Sequence, residues 1–246
     1  MKVALCMIVK NEEDYIMENL LYNFKLGFDH IFLYMNDWEC EIDLPNVTQI
    51  LWPGKVQQLN AYNHCLQSVG KFFDWIAFFD VDEFLVLKRH NTIQEFVADF
   101  NTKYNIGINW QFYGSCGKRF RDPNYLNSLL KQFTKRQEDV NHHIKVIVNC
   151  KEKNKMYLPH CSTKPSMDTN GKIFMGPFNE NGPVDYAVIN HYFSKTEQDW
   201  KVRIERGRPD TTQNRNMNEW EETKYHNWSV EDLTALNFMY DTKNSN

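Results

Sequence analysis

The segment Phe78-Phe79-Asp80-Val81-Asp82-Glu83-Phe84 sets three carboxylates within four residues at the end of an apolar run. An acidic cluster in apolar surroundings needs a cation or hydrogen-bond donors. In extended geometry Asp80 and Asp82, two apart, share one face. Two hard oxygen ligands at a strand end suit Mg2+ or Mn2+ held together with a diphosphate. The plainer reading is a solvated turn whose acids cap the next element.

Three other segments bear on that chemistry. Lys10-Asn11-Glu12-Glu13 ends the first apolar run, where the first βα turn of an open sheet commonly meets a nucleotide. Neither GxGxxG nor GxxxxGK[ST] is present, and Asn11 is fully explained as a helix cap. In Asn190-His191-Tyr192-Phe193-Ser194-Lys195, a histidine stands just before a predicted helix with a lysine in its first turn. A neutral imidazole can ligate a metal, and the helix N-terminus favours an anion, although a lone histidine is more often a packed residue. Trp110-Gln111-Phe112-Tyr113-Gly114-Ser115-Cys116-Gly117 puts aromatic faces beside a small-residue loop. Such faces suit the CH-rich faces of sugars and suit a hydrophobic core equally well.

The elements that must position these residues follow from periodicity. Strands are predicted at Val3–Val9, His30–Met35, Val47–Trp52 and Trp75–Phe79. A helix follows the first strand, with Asn11 as its cap, Asp14 at the third helical position, Ile16, Leu20 and Phe24 on its inner face and Gly27 as its stop. Helices are predicted over 57–69 and from a capping box at Thr92/Glu95 that buries Ile93, Phe96, Val97 and Phe100. This alternation predicts a mostly parallel twisted sheet flanked by helices. The second half is less regular, with strands at Gly107–Tyr113 and His143–Val148 and long loops over 114–142 and 161–183. A helix capped by Ser194/Glu197 runs to Arg206, and another opens at Ser229/Asp232 and runs to about Tyr240. This half reads as an extension ending in helices, laid across one sheet edge.

Composition narrows the classes. The 246 residues are 42% hydrophobic, suit one domain over 1–246, and exclude a disordered or collagen-like chain. A net charge of −4 gives no support for nucleic-acid binding. Cys6, Cys40, Cys65, Cys116, Cys150 and Cys161 show no CxxC pair or zinc spacing, so they read as reduced thiols. The run after Lys2 reads as a buried strand rather than a signal peptide, which implies a cytoplasmic protein. Between 118 and 136, Lys118, Arg119, Arg121, Lys131, Lys135 and Arg136 face only Asp122. That basic patch suits an anionic acceptor or peripheral contact with the inner face of a membrane, unless it is an ordinary solvated face.

The opening VALCMIVKNEEDYIMENLLYN, the helix QQLNAYNHCL, the segments DWIAFFDVDEFL and WQFYGSCGK, and the closing INHYFSKTEQDWKVRIERGRPD together resemble glycosyltransferase family 92. That family is related to the family 2 glycosyltransferases. The resemblance covers residues 1–150 and resumes over 184–210. It implies a GT-A fold with a nucleotide-sugar-binding half (1–105) and an acceptor-side half (106–246). It also implies a UDP-hexose donor, UDP-galactose first, and an inverting transfer. By that analogy Asp80 meets the ribose or the metal, and Asp82 ligates Mn2+ on the diphosphate. Asn11 and Glu12 lie near the nucleotide, and His191 and Lys195 meet metal and diphosphate. Trp110, Phe112 and Ser115 approach the sugar and acceptor, with Tyr113 and Tyr192 nearby. Cys116 departs from the pattern, where a second serine is expected.

The resulting expectation is a metal-dependent hexosyltransferase acting on a glycan or glycolipid such as a bacterial surface polysaccharide or lipopolysaccharide precursor. Its catalytic base is sought among Asp168, Glu180 and Asp210 in the second-half loops, with Asp168 first. The competing readings are a sugar nucleotidylyltransferase, which usually carries a Gly-rich N-terminal signature absent here, and a non-catalytic UDP-sugar-binding scaffold.

Overall fold

The computed structural model describes residues 1–37, 40–100, 102–221 and 228–241. The first half follows the predicted alternation: β1 (Val3–Val9), α1 (Ile16–Lys25), β2 (His30–Met35), β3 (Val47–Leu51), α2 (Gln58–Val69) and β4 (Trp75–Phe78). Then come β5 (Glu83–Leu87), α3 (Ile93–Ala98) and β6 (Asn105–Phe112). The second half holds α4 (Leu129–Gln132), β7 (Lys135–Arg136), β8 (Asn141–Asn149), β9 (Met156–Leu158) and β10 (Cys161–Ser162). It continues with β11 (Ser166–Met167), β12 (Ile173–Phe174), β13 (Ala187–His191), α5 (Glu197–Arg206), α6 (Met217–Glu221), β14 (Val230–Glu231) and α7 (Thr234–Tyr240).

The main sheet runs β12-β11-β6-β8-β4-β1-β2-β3, with β13 bridging β5 and β6. Strands β3, β2, β1 and β4 are parallel, as the alternation requires. All of β1 is buried because both of its faces are covered. Val3, Leu5, Met7 and Val9 enter the core shared with Ile16, Leu20 and Phe96, while Ala4, Cys6 and Ile8 pack with Ala61, Tyr62 and Cys65 of α2. Gly27, at φ 100, takes the left-handed backbone that ends the α1 segment.

The second half departs from an edge extension. Strand β8 lies inside the sheet, antiparallel to both β4 and β6. Strand β13 runs parallel to β6 and antiparallel to β5. The sheet is therefore mixed, and residues beyond 106 supply some of its central strands. Local pattern carries no record of which strands become neighbours, so this interleaving was not readable.

Caps moved as well. The Thr92/Glu95 box is present on α3. Helix α1 starts at Ile16 without a side-chain cap, and Asn11 instead sits at φ 50 in the turn leaving β1. Helix α5 is capped by Thr196 with Asp199 as its reciprocal partner, displacing Ser194/Glu197. Helix α7 starts at Thr234 after the short β14, so Ser229/Asp232 does not cap it directly. Among the described residues no helix is long and apolar enough to cross a membrane, and the six cysteines are free.

Candidate functional site

The carboxyl ends of β1 and β4 open into a cavity of about 630 Å³. Its rim includes Lys10, Asn36 and Gly54 on one side and Arg203, Arg206 and Arg208 on the other. A crevice at the carboxyl ends of parallel strands is the usual ligand position of open α/β sheets.

Asp80 and Asp82 sit on its floor, in a turn rather than in extended backbone, because the Glu83 amide donates to the Asp80 carbonyl (3.1 Å). The turn sends the two carboxylates to different partners. Asp80 accepts from Lys145 (2.7 Å), Gln58 (3.0 Å) and Tyr62 (3.3 Å). Burial alone would raise its carboxyl, but the Lys145 ammonium outweighs that and holds it below the ordinary range. Asp82, itself buried, faces Lys195 (3.3 Å), Arg203 (3.6 Å) and His191 Nε2 (3.6 Å). Burial pushes it up as well, yet Lys195 and Arg203 hold it far below the usual carboxylate range.

Glu83 lies fully buried behind them, 3.3 Å from Lys145, and burial raises its carboxyl well above the ordinary value. Lys145 is itself wholly buried; burial would lower its ammonium, but the Asp80 and Glu83 carboxylates raise it. It reaches the acids because β8 pairs antiparallel to β4. His191 ends β13 opposite Glu83 of β5, and burial lowers its imidazole to about 3, so it is neutral at pH 7. Its Nδ1 is buried without a hydrogen-bond partner.

Helix α5 supplies the cations that the sequence reading did not assign. Arg203 and Arg206, three apart, lie on one helix face and reach Asp82 and Glu12, respectively. Arg206 also donates to the Lys10 carbonyl (3.0 Å), tying α5 to the end of β1. Gly207, at φ 79, ends the helix and turns Arg208 and Asp210 along the cavity rim. The signal was the Arg-x-x-Arg-x-Arg spacing, which is legible only once the helix is known to face the acids.

The other expected residues divide. Glu12 lines the cavity, 3.6 Å from Lys195. Lys195 lies buried between Glu12 and Asp82, at φ 51, before the cap of α5 rather than in its first turn. Asn11 is exposed outside the cavity lining. Trp110 lines the cavity wall; Phe112 and Ser115 are buried behind it, with Phe112 against His191 and Phe193. Tyr113 and Tyr192 pack ring to ring in the core, at 4.6 Å. Asp168 is not brought to the cavity; it accepts from the Asn170 and Lys172 amides (2.9 and 3.0 Å) and from Asn179 (3.0 Å) in a buried turn. Of the three acids considered as a base, Asp210 alone is on the cavity lining.

The basic patch is largely consumed by the fold. Arg119 pairs with Glu197, Arg121 with Asp14 and Asp199, and Arg136 with Asp232. Lys118 donates to the Gln132 carbonyl (2.6 Å), which leaves Lys131, Lys135 and the Glu197-paired Arg119 as its exposed cations.

Among the described residues no group of three or more His, Cys, Asp or Glu side chains is arranged to hold a metal ion. Asp80 is turned to Lys145, so the expected Asp80/Asp82/His191 trio is not assembled. Of that trio only Asp82 and neutral His191 stay together, with His191 Nε2 3.6 Å from an Asp82 carboxylate oxygen.

The glycosyltransferase family 92 model matches residues 46–233, from before β3 to beyond β14. The chain belongs to glycosyltransferase family 92. A family 92 protein of Oryza sativa subsp. japonica is 26% identical over 114 residues, 43% of this chain and 20% of that relative. One of Arabidopsis thaliana is 28% identical over 100 residues, 37% of this chain and 17% of its own length. Each alignment thus spans about a fifth of the curated relative. The crystal structure of S. aureus TarS 1–349 in complex with UDP is similar with a TM-score of 0.36 and 14% identity, covering 61% of this family 92 chain and 47% of TarS.

Proposed function

We propose that this family 92 chain transfers a hexosyl group, galactosyl first, from a UDP-sugar to a hydroxyl of a glycan or glycolipid, with inversion at the anomeric carbon. One observation carries the reading: α5 sets Arg203 and Arg206 over Asp82, Glu12 and His191 in a cavity of about 630 Å³. That volume suits a nucleotide-sized ligand.

A leaving nucleoside diphosphate gains negative charge, and fixed cations aimed at that charge lower the barrier without reorganising. Arg203, Arg206 and Arg208 line the wall where it would lie. Asp82 and His191 are the residues that would hold Mn2+ or Mg2+, and such an ion would supply further electrostatic stabilisation of the diphosphate. Lys145 keeps Asp80 charged and in place beneath the site. The acceptor proton needs a carboxylate on the open side of the cavity, and Asp210, exposed on the rim, replaces the distant Asp168 in that role.

The test is a panel of UDP-sugars with Mn2+, Mg2+ or chelator, following UDP release with and without glycan acceptors. Release from at least one UDP-hexose that Asp82→Asn lowers at least about 100-fold supports the reading. Production of UDP-sugar from sugar phosphate and UTP indicates the nucleotidylyltransferase. UDP binding without turnover of any donor indicates the non-catalytic scaffold, and neither binding nor turnover overturns the UDP-sugar reading.

A further inference from the structure

Beyond Trp110 the cavity wall continues into a set of rings that the transfer chemistry leaves unused. Register between β6 and β8 jumps from Asn109 opposite Ile144 to Trp110 opposite Asn141, so His142 and His143 are looped out beside Trp110. Irregularities of this kind re-aim side chains and recur next to binding sites. Here the loop is built into the fold. The Asn179 amide donates to the His142 carbonyl (2.8 Å), the Ile144 amide donates to the Pro177 carbonyl (3.1 Å), and His143 and Phe178 form an isolated bridge.

The rings form a path from the cavity outward. Trp110 stacks on His143 (5.1 Å between centroids, 20° between planes), and His143 on His142 (4.7 Å, 25°). Phe178 stands edge-on to both histidines, and His160, on the cavity lining, stands edge-on to Trp110. The inner end is buried, whereas Phe178 keeps 47% of its surface exposed at the outer end.

The hydrogen bonds of the path suit hydroxyls. His143 Nδ1 bonds Asn141 Oδ1 (2.8 Å) and His160 Nδ1 bonds the Ile144 carbonyl (3.1 Å). Both partners are acceptors, so each Nδ1 carries the proton and each Nε2 is left as an acceptor. The Trp110 indole N–H is buried with no partner, and Glu180 stands 4.0 Å from His142 at the far end. The faces of Trp110 and His143 are taken up by the stack itself, so a pyranose ring would meet the outer rings, His142 and Phe178, and the acceptor and donor edges beside them; an acyl chain would leave these polar atoms unanswered.

We propose that Trp110, His143, His142, His160 and Phe178 form an acceptor subsite for a neutral oligosaccharide whose sugars extend beyond the reacting one. The assignment rests on the transferase reading for its role but stands on its own as a glycan-binding site.

Galacto-, gluco- and xylo-oligosaccharides, mono- to tetrasaccharide, and long-chain alkyl monosaccharides are titrated into the full chain with and without UDP. The wild type is compared with Phe178→Ala and His142→Ala. At least one oligosaccharide series is expected to bind at least about 10-fold tighter as the trisaccharide than as the monosaccharide. Phe178→Ala, a change at an exposed ring, is expected to remove most of that gain, as is His142→Ala. The proposal is overturned if no series tightens with length, if the gain survives both substitutions, or if affinity follows alkyl length instead. Failure of UDP to bind the wild type would count against the transferase reading, while the titration without UDP still decides the subsite.

Discussion

The cavity floor and its outer wall solve different problems. On the floor, buried charges answer one another: Asp80 with Lys145, Asp82 with Lys195 and Arg203, Glu12 with Arg206. On the wall, Trp110, His143, His142 and Phe178 meet ring to ring, and burial lowers the His143 imidazole to about 4, so it is neutral at pH 7. A paired floor is organised before any anion arrives, and removing one member strands the other in low dielectric. A neutral wall discriminates by shape and tolerates ring-for-ring exchange. The molecule thus keeps charge recognition and shape recognition in adjacent but separable regions.

The harshest test of that contrast is Lys145→Met. It leaves Asp80 and Glu83 without their cation and is expected to cost about 3–5 kcal/mol, with transfer lost. His143→Phe on the wall keeps a ring and is expected to cost about 1 kcal/mol, mostly from the lost bond to Asn141. Urea unfolding of both variants checks the pair; equal losses would erase the distinction between floor and wall.

Next in size is Arg206→Gln. Glu12 retains Lys195, so the fold should survive while UDP binding weakens about 10- to 100-fold. Calorimetric titration with UDP reads it directly. Unchanged affinity would remove α5 from the donor site.

What the sequence made legible follows the range of the interactions. The parallel β3-β2-β1-β4 block, the acid-rich turn after Phe78 and the Thr92/Glu95 cap rest on local periodicity or short motifs, whereas the meeting of His191 with Asp82 was implied only by the family resemblance. Lys145 escaped notice because its role depends on β8 entering beside β4, and strand order leaves no local trace. Arg203 and Arg206 look like solvated helix charges until α5 is seen to cross the ends of β1 and β4. Asp168 looked like a free loop acid, yet its oxygens close a turn. The aromatic segment divided for the same reason: Trp110 lines the wall, whereas Phe112, Tyr113 and Tyr192 fill the core.

The wall also gives a pH signature. Burial lowers His160 to about 3 and His143 to about 4, against an ordinary value near 6.5. Below about pH 6.5 the unfolded chain takes up protons that the folded one refuses, so this stability is complete above pH 6.5 and is lost as the pH falls. The limiting slope is about 1.4 kcal/mol per pH unit for each histidine, and less for the partly exposed His143. His160→Phe should flatten the fall between pH 6.5 and 5 relative to wild type, measured by unfolding midpoints across that range. An unchanged profile would mean that His160 charges freely in the fold.

The smallest effect separates the regions most cleanly. Thr92→Ala and Thr196→Ala each remove one half of a capping box, with an expected cost of about 1 kcal/mol of stability. Helix α3 carries no residue of the cavity lining, whereas α5 carries Arg203 and Arg206. Thr196 also holds Asp199, which anchors Arg121 and accepts from Tyr15 at the start of α1. Equal stability losses should therefore come with unequal losses of UDP affinity, near none for Thr92→Ala and severalfold for Thr196→Ala. If the two variants weaken UDP alike, α5 is not the element that positions the donor cations, and the floor owes its geometry to the strands alone.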